Sequence, residues 1–442
     1  MTIQLSSKKR EFAIIVALLF LAFIVRSAFF WHQGFEKTDT LDFRLWFQRA
    51  ADLGPRTFYS NDYWCDYPPL NIYFFWIFGL LAKSLSLFGS SLFTNVMKLP
   101  PNLFDMATAF LIFLFVRKRL NFKMALLAAS LYAFNPAVVF NAAVWGQFDA
   151  IYTFFLVLSL FLVFESKPKL AVVAFMLGIL TKPQSIALAP LFVFLIFRQY
   201  DWKGLMSSLA AGARKAVSET VSRFRGWKDF LVTLLVAVAT VFVVILPFEW
   251  SNPVNFLAKI YFGAYGTYAY TSINAFNVWA FGGTWQPDTQ LTFFLGWAMF
   301  GALAVFAVYL VHKRRGASAE LPVLFAAFVL FFGFFMLPTR IHERYLFPAI
   351  AVLALMFPFL KKMRPLFVVL TSTVFVNEAY VLSFLNAATG TFIQPDDPVA
   401  FTVSLINSLA LLYVLMLMWK ELRGKRWLTP NPSEIQETTP RG

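Results

Sequence analysis

Carboxylates and cations recur at the ends of long apolar runs in this chain, and their spacing is suited to holding an anion beside a base. "KTDTLDFRLWFQRAADL" sets Asp39, Phe43 and Trp46 at i, i+4 and i+7, so a helix starting there shows one aromatic face with a carboxylate at its head. On this spacing alone Asp39 is either a helix cap or a reactive acid. "DYPPL" follows, a rigid extended turn carrying Asp66 and Tyr67 that also reads simply as a stop-and-start signal. "VWGQFDAIY" places Trp145, Gln147 and Asp149 at a helix end. "LTKPQSIALAP" puts Lys182 and Gln184 at a break between two short apolar runs, where free backbone and polar side chains need a cavity. A lysine there also suits snorkelling. "RIHERY" packs Arg340, His342, Glu343 and Arg344 between two apolar runs. Together these groups can build a polar cavity for an anionic substrate, and phosphate fits it well.

The elements that must position them are membrane helices. The 442 residues are 59% hydrophobic and only 14% charged, against about 25% in soluble chains. Apolar runs of roughly 17–25 residues recur throughout, the length that spans about 30 Å of hydrocarbon. The expected fold is all-α, polytopic and integral to the membrane. The net charge of +15 sits in short loops between apolar runs, which makes it an orientation signal and argues against a nucleic-acid partner. Cys65 is the only cysteine, so no intrachain disulfide forms and no cysteine cluster holds a metal. The first apolar run follows Lys8-Lys9-Arg10 and lacks a cleavage motif, so it reads as a retained helix.

Basic loops at 8–10, 117–119, 165–169, 198–228, 312–315, 361–364 and from Lys420 are expected in the cytoplasm. The loops between them then lie outside, giving about twelve helices in one domain over 1–425. Residues 31–100 form the first external loop. Its apolar stretch 71–89 is expected to be interfacial, because a span there would invert every later basic loop. The segment 198–228 reads as a basic amphipathic helix on anionic lipid, and 426–442 as a disordered tail.

The ordered series "TDTLDF…W", "DYPPL", "KLP…D" (Lys98 to Asp105), "WGQFDAIY", "TKPQ", "NAFNVWA" (Asn274 to Ala280) and "HERYLFP" resembles the membrane glycosyltransferases of the GT-C superfamily. It is most similar to the prokaryotic group related to the enzyme that adds the second mannose of GPI anchors. The match runs from about residue 30 to 350. It implies transfer of a sugar, mannose first, from a polyprenyl-phosphate donor to a glycan, glycolipid or protein acceptor, with inversion, at the extracytoplasmic face of the cell membrane. It implies that Asp39 is the base, and that Lys182, His342 and Arg344 meet the departing phosphate. Asp66, Tyr67, Trp145, Gln147, Asp149, Gln184 and Glu343 are implied as further substrate contacts. Where eukaryotic relatives have Lys after the Glu of "HERY", Arg344 keeps the charge. No metal-ligand set is expected, although Asp39 and Asp66 are the pair that a Mg2+ or Mn2+ ion would use. A transporter or lipid flippase shares this composition, but should carry its ionisable residues near the bilayer centre.

Overall fold

The computed structural model describes residues 7–60, 62–200, 226–249, 251–314, 320–387 and 392–429. Most of the expected basic segment 198–228, and the tail beyond residue 429, lie outside the described residues.

The chain is all-α and multi-pass. In order, the helices are α1 Ser7–Ser27, α2 Asp39–Leu53, α3 Pro69–Ser84, α4 Leu92–Met97, α5 Leu99–Arg117, α6 Phe122–Ala133, α7 Pro136–Val139, α8 Asp149–Phe164, α9 Pro168–Thr181, α10 Ala189–Phe197, α11 Trp227–Ile245, α12 Pro253–Thr267, α13 Gln290–Lys313, α14 Glu320–Met336, α15 Phe347–Met356, α16 Met363–Asn386 and α17 Pro398–Leu422. Among the described residues, five helices are long and apolar enough to span a membrane: 92–117, 227–245, 290–313, 363–386 and 398–422. A sixth span arises if α6 and the helix 136–145, bent by 45° at the break between them, count as one. Helices α8, α9, α14 and α15 and the run 183–197 are shorter and apolar. Prolines explain several starts: Pro69, Pro136, Pro168 and Pro398 each occupy a first turn, where their missing N–H is no loss.

The bundle has two chemically distinct ends. At one, Arg117 pairs with Glu11 at 2.9 Å, Lys118 with Glu165 at 2.6 Å and Lys169 with Asp229 at 3.2 Å, while Arg119 meets Glu320 and Arg314 meets Glu421. At the other, Lys182 pairs with Asp149, Arg340 with Asp288 and Arg344 with Glu343. The first group joins loops that charge alternation assigns to the cytoplasm; the second joins the loops between them. Helices such as α5 and α13 run from one group to the other, so the charge pattern of the sequence reappears as the polarity of the bundle.

The 31–100 region folds as a helical annex. α2 and α3 pack through Phe43, Trp46, Phe47, Ile72 and Phe75, with Tyr67 and Phe148 closing the cluster. They cross closely: a Cβ on Gly79 would lie 2.4 Å from the Phe47 carbonyl oxygen, so only glycine fits. The 16 residues of α3 rise about 24 Å. One face packs on α2, while Ile77, Leu80 and Leu81 on the other remain exposed. That is the surface an interfacial helix needs.

Candidate active site

α2, the 145–149 turn, the break after α9 and the 339–345 segment converge on one cavity of about 640 Å³. Its wall includes Asp39, Asp42, Asp66, Tyr67, Trp145, Gln147, Lys182, Gln184, His342, Glu343 and Arg344. Residues from near the start of the chain and from its last third thus share one space.

Asp39 opens α2. Its Oδ2 accepts two hydrogen bonds, from Trp145 Nε1 at 2.9 Å and Gln147 Nε2 at 2.6 Å. No described residue donates to Oδ1, so the carboxylate is oriented through one oxygen while the other keeps its lone pairs. The helix-cap alternative does not hold: α2 begins after Thr38 with no side-chain cap, and Asp39 makes its bonds across the cavity wall.

The donors come from an unusual stretch of backbone. Residues Phe140–Trp145 form a π-helical turn closed by Gly146, whose φ of 88° lies in the left-handed region that favours glycine. Gly146 N and Gln147 N both donate to the Asn141 carbonyl, at 3.0 and 2.9 Å. The chain then turns into α8 with Trp145 and Gln147 aimed at Asp39.

The cations are held by an acid behind the wall. Lys182 breaks the helix pattern between α9 and a 3-10 turn, as the "TKPQ" spacing suggested, and its Nζ lies 2.9 Å from Asp149 Oδ1. Arg344 Nε lies 3.7 Å from Asp149 Oδ2, and the Arg344 guanidinium also contacts Glu343. Asp149 is fully buried and not on the cavity wall. Its carboxylate pairs with Lys182 and shares Arg344 with Glu343, since an unpaired buried cation would cost of order several kcal/mol.

The "RIHERY" segment is stitched to the 268–287 loop. Arg340 N donates to the Tyr270 carbonyl at 2.9 Å and Ile273 N to the Ile341 carbonyl at 2.8 Å. Asn274, with φ 58°, sits beside His342, and Asn377 grips this loop through Phe276 N and the Asn274 carbonyl. Arg340 is committed to Asp288 at 2.9 Å. His342 stands against Tyr268, with ring centres 5.3 Å apart. Burial, with the Arg344 and Lys182 charges beside it, holds the His342 pKa well below that of ordinary imidazole. His342 is therefore neutral near pH 7 and offers a hydrogen bond. Burial raises Glu343, with Arg344 opposing.

Two further carboxylates face the cavity. Burial, opposed by Arg344 and Lys182, pushes Asp66 up to about 6. Burial and the neighbouring Asp39 push Asp42 up to about 6 as well. Asp66 Oδ1 is buried without a protein partner. Asp42 escaped sequence reasoning, although it lies three residues after Asp39 on the same helix and that spacing was available.

The donor set does not fit a divalent cation. Among the described residues no three His, Cys, Asp or Glu side chains are grouped to hold one. Of the expected pair, Asp39 has its Oδ2 turned to two N–H donors, and Asp66 lies in the field of Lys182 and Arg344.

Residues 66–214 match the family model described as dolichyl-phosphate-mannose-protein mannosyltransferase. No curated protein matches. Among solved structures, the chain is similar to the archaeal oligosaccharyltransferase AglB from Archaeoglobus fulgidus in complex with an inhibitory peptide and a dolichol-phosphate. That alignment has 13% identity and a TM-score of 0.38, and it covers 99% of this chain and 59% of that one. The chain thus spans about three-fifths of that protein's length.

Proposed function

We propose that this protein is a membrane glycosyltransferase that takes a sugar, mannose first, from a polyprenyl-phosphate donor and transfers it with inversion to an extracytoplasmic glycan, glycolipid or protein. The observation that carries this reading is the shared cavity: Asp39, held by one oxygen, faces the same space as Lys182 and Arg344. The family match over 66–214 supports the donor class and covers Asp66, Trp145, Gln147 and Lys182.

The steps balance without a cofactor. Asp39 Oδ1 takes the proton of an acceptor hydroxyl as its oxygen bonds to the anomeric carbon. The bond from that carbon to the phosphate oxygen breaks, and its electron pair leaves with polyprenyl phosphate. Lys182 and Arg344 meet the charge as it develops, and neutral His342 donates a hydrogen bond. The cavity's charged groups stand at helix ends and in turns, which suits a lipid phosphate at the membrane rim better than the midplane site of a transporter.

The test is to incubate purified protein with a panel of polyprenyl-phosphate sugars, each together with a membrane glycolipid and glycan extract as acceptor, and measure released polyprenyl phosphate. Release with one sugar supports the reading and names the donor; a well-folded protein silent with the whole panel removes it.

A further inference from the structure

Lys98 is buried among backbone carbonyls, next to the turn that holds the proposed base. It is 2% exposed, and its Nζ donates to the carbonyls of His32 at 2.5 Å, Ala143 at 2.7 Å and Val144 at 3.0 Å, with Phe30 at 3.4 Å. No carboxylate pairs with it among the described residues, although desolvating an ammonium costs of order several kcal/mol. What it meets instead is the end of a helix. The carbonyls of 142, 143 and 144 have no successor N–H in the π-helical turn, and such orphan oxygens carry the negative end of the helix dipole. Asn102 Nδ2 takes the Ala142 carbonyl at 3.0 Å, and Lys98 takes the next two. Trp145 and Gln147, the two donors on Asp39 Oδ2, follow directly. The stem is fitted as well: a Cβ on Gly146 would lie 3.2 Å from Lys98 Cε.

We propose that Lys98 is a positioning residue for the transfer step: its ammonium caps the carbonyls of Ala143 and Val144 and thereby fixes the Trp145 and Gln147 donors on Asp39. The inference rests on the glycosyltransferase reading above. Lys98 touches no substrate; it acts through the 143–147 backbone. A misplacement near 1 Å at a catalytic group costs about 100-fold in rate.

The experiment is a double-mutant cycle of Lys98→Met, which keeps the stem and removes the ammonium, with Gln147→Ala. Both are assayed by polyprenyl phosphate release from whichever panel donor the wild type uses. Folding is checked by thermal melting in detergent and by binding of polyprenyl phosphate. The expected result is a kcat loss of about 100-fold for Lys98→Met with the donor KM little changed. In the Gln147→Ala background the same substitution should cost far less, since both act on one contact. Equal losses in both backgrounds, or full kcat in a folded Lys98→Met protein, overturn the assignment. Should Lys98→Met fail to fold, Lys98→Gln, which keeps a single donor in place of the ammonium, serves as the first arm of the same cycle. There too, a smaller loss beside Gln147→Ala supports the assignment and an equal loss overturns it. A wild type inactive with every donor overturns the enzyme reading and this inference with it; an active wild type with additive losses overturns this inference alone.

Discussion

Lys182 Nζ lies 2.9 Å from Asp149 Oδ1, and Asp149 is itself fully buried behind the cavity wall. With Arg344 on its other oxygen at 3.7 Å, this acid balances Lys182 and shares Arg344 with Glu343. Asp149→Asn keeps the shape, strands the Lys182 charge and leaves Arg344 with Glu343 alone. Breaking a buried pair in this way costs about 3–5 kcal/mol. The melting temperature should fall sharply and sugar transfer should be lost. Adding Lys182→Met to Asp149→Asn should recover much of the stability but none of the transfer. An unchanged melting temperature for the single variant would mean that the cations do not depend on Asp149.

His342 and Arg344 are neighbours in sequence but should differ in what their loss costs. A neutral hydrogen bond contributes about 0.5–1.5 kcal/mol and a bond to a charged group about 1.5–3 kcal/mol. His342→Gln should therefore weaken donor use by roughly 10-fold or less, and Arg344→Gln by clearly more. Donor kcat/KM for the two variants decides it. Because His342 is held neutral by burial and its cationic neighbours, His342→Gln should leave the pH profile near neutrality in place. A limb that vanished with His342 would show that it titrates there.

Asp66 makes stability depend on pH in an unusual direction. A carboxyl raised on folding holds its proton more tightly in the folded chain than in the unfolded one. Its contribution is most favourable below the unfolded value of about 3.9, and it declines as pH rises through the folded value of about 6. The melting temperature should thus drop between about pH 4 and 6, and Asp66→Asn should flatten that slope and raise stability at about pH 7. A slope unaltered by Asp66→Asn would contradict the assignment. Asp42 should contribute in the same sense, and less, because solvent reaches it.

Trp145→Phe keeps the ring in its packing against Phe276 and Val381 and deletes one donor to Asp39 Oδ2. One hydrogen bond to a charged group amounts to a kcat loss of about 10-fold to 100-fold. Gln147→Glu should be worse, since it sets a second carboxylate against Asp39. Rates from both variants, normalised to folded protein, test whether these bonds tune the base or only pack the wall.

The parts of this site that rest on local pattern were legible in the sequence. The i, i+4, i+7 spacing of Asp39, Phe43 and Trp46 marked the aromatic face of α2, and all three reach the cavity wall. The broken run at "TKPQ" put Lys182 between helices, and the basic loops marked one end of the bundle. What stayed hidden depends on contacts between distant segments. Asp149 lies 33 residues from Lys182, and nothing in either motif says that the acid would be consumed by the cation. The neutrality of His342 follows from burial beside Arg344 and Lys182, a property of the assembled wall. Lys98 stood in a motif, but its partners are backbone oxygens, which carry no sequence signal.

The most direct measurement compares wild type with Asp39→Asn, both shown folded by melting and by polyprenyl phosphate binding, in release of polyprenyl phosphate from the preferred sugar donor. Loss of the transfer-coupled release, with donor binding retained, is the predicted outcome. Transfer at the wild-type rate by folded Asp39→Asn would contradict the account, because a carboxamide cannot take the acceptor's proton.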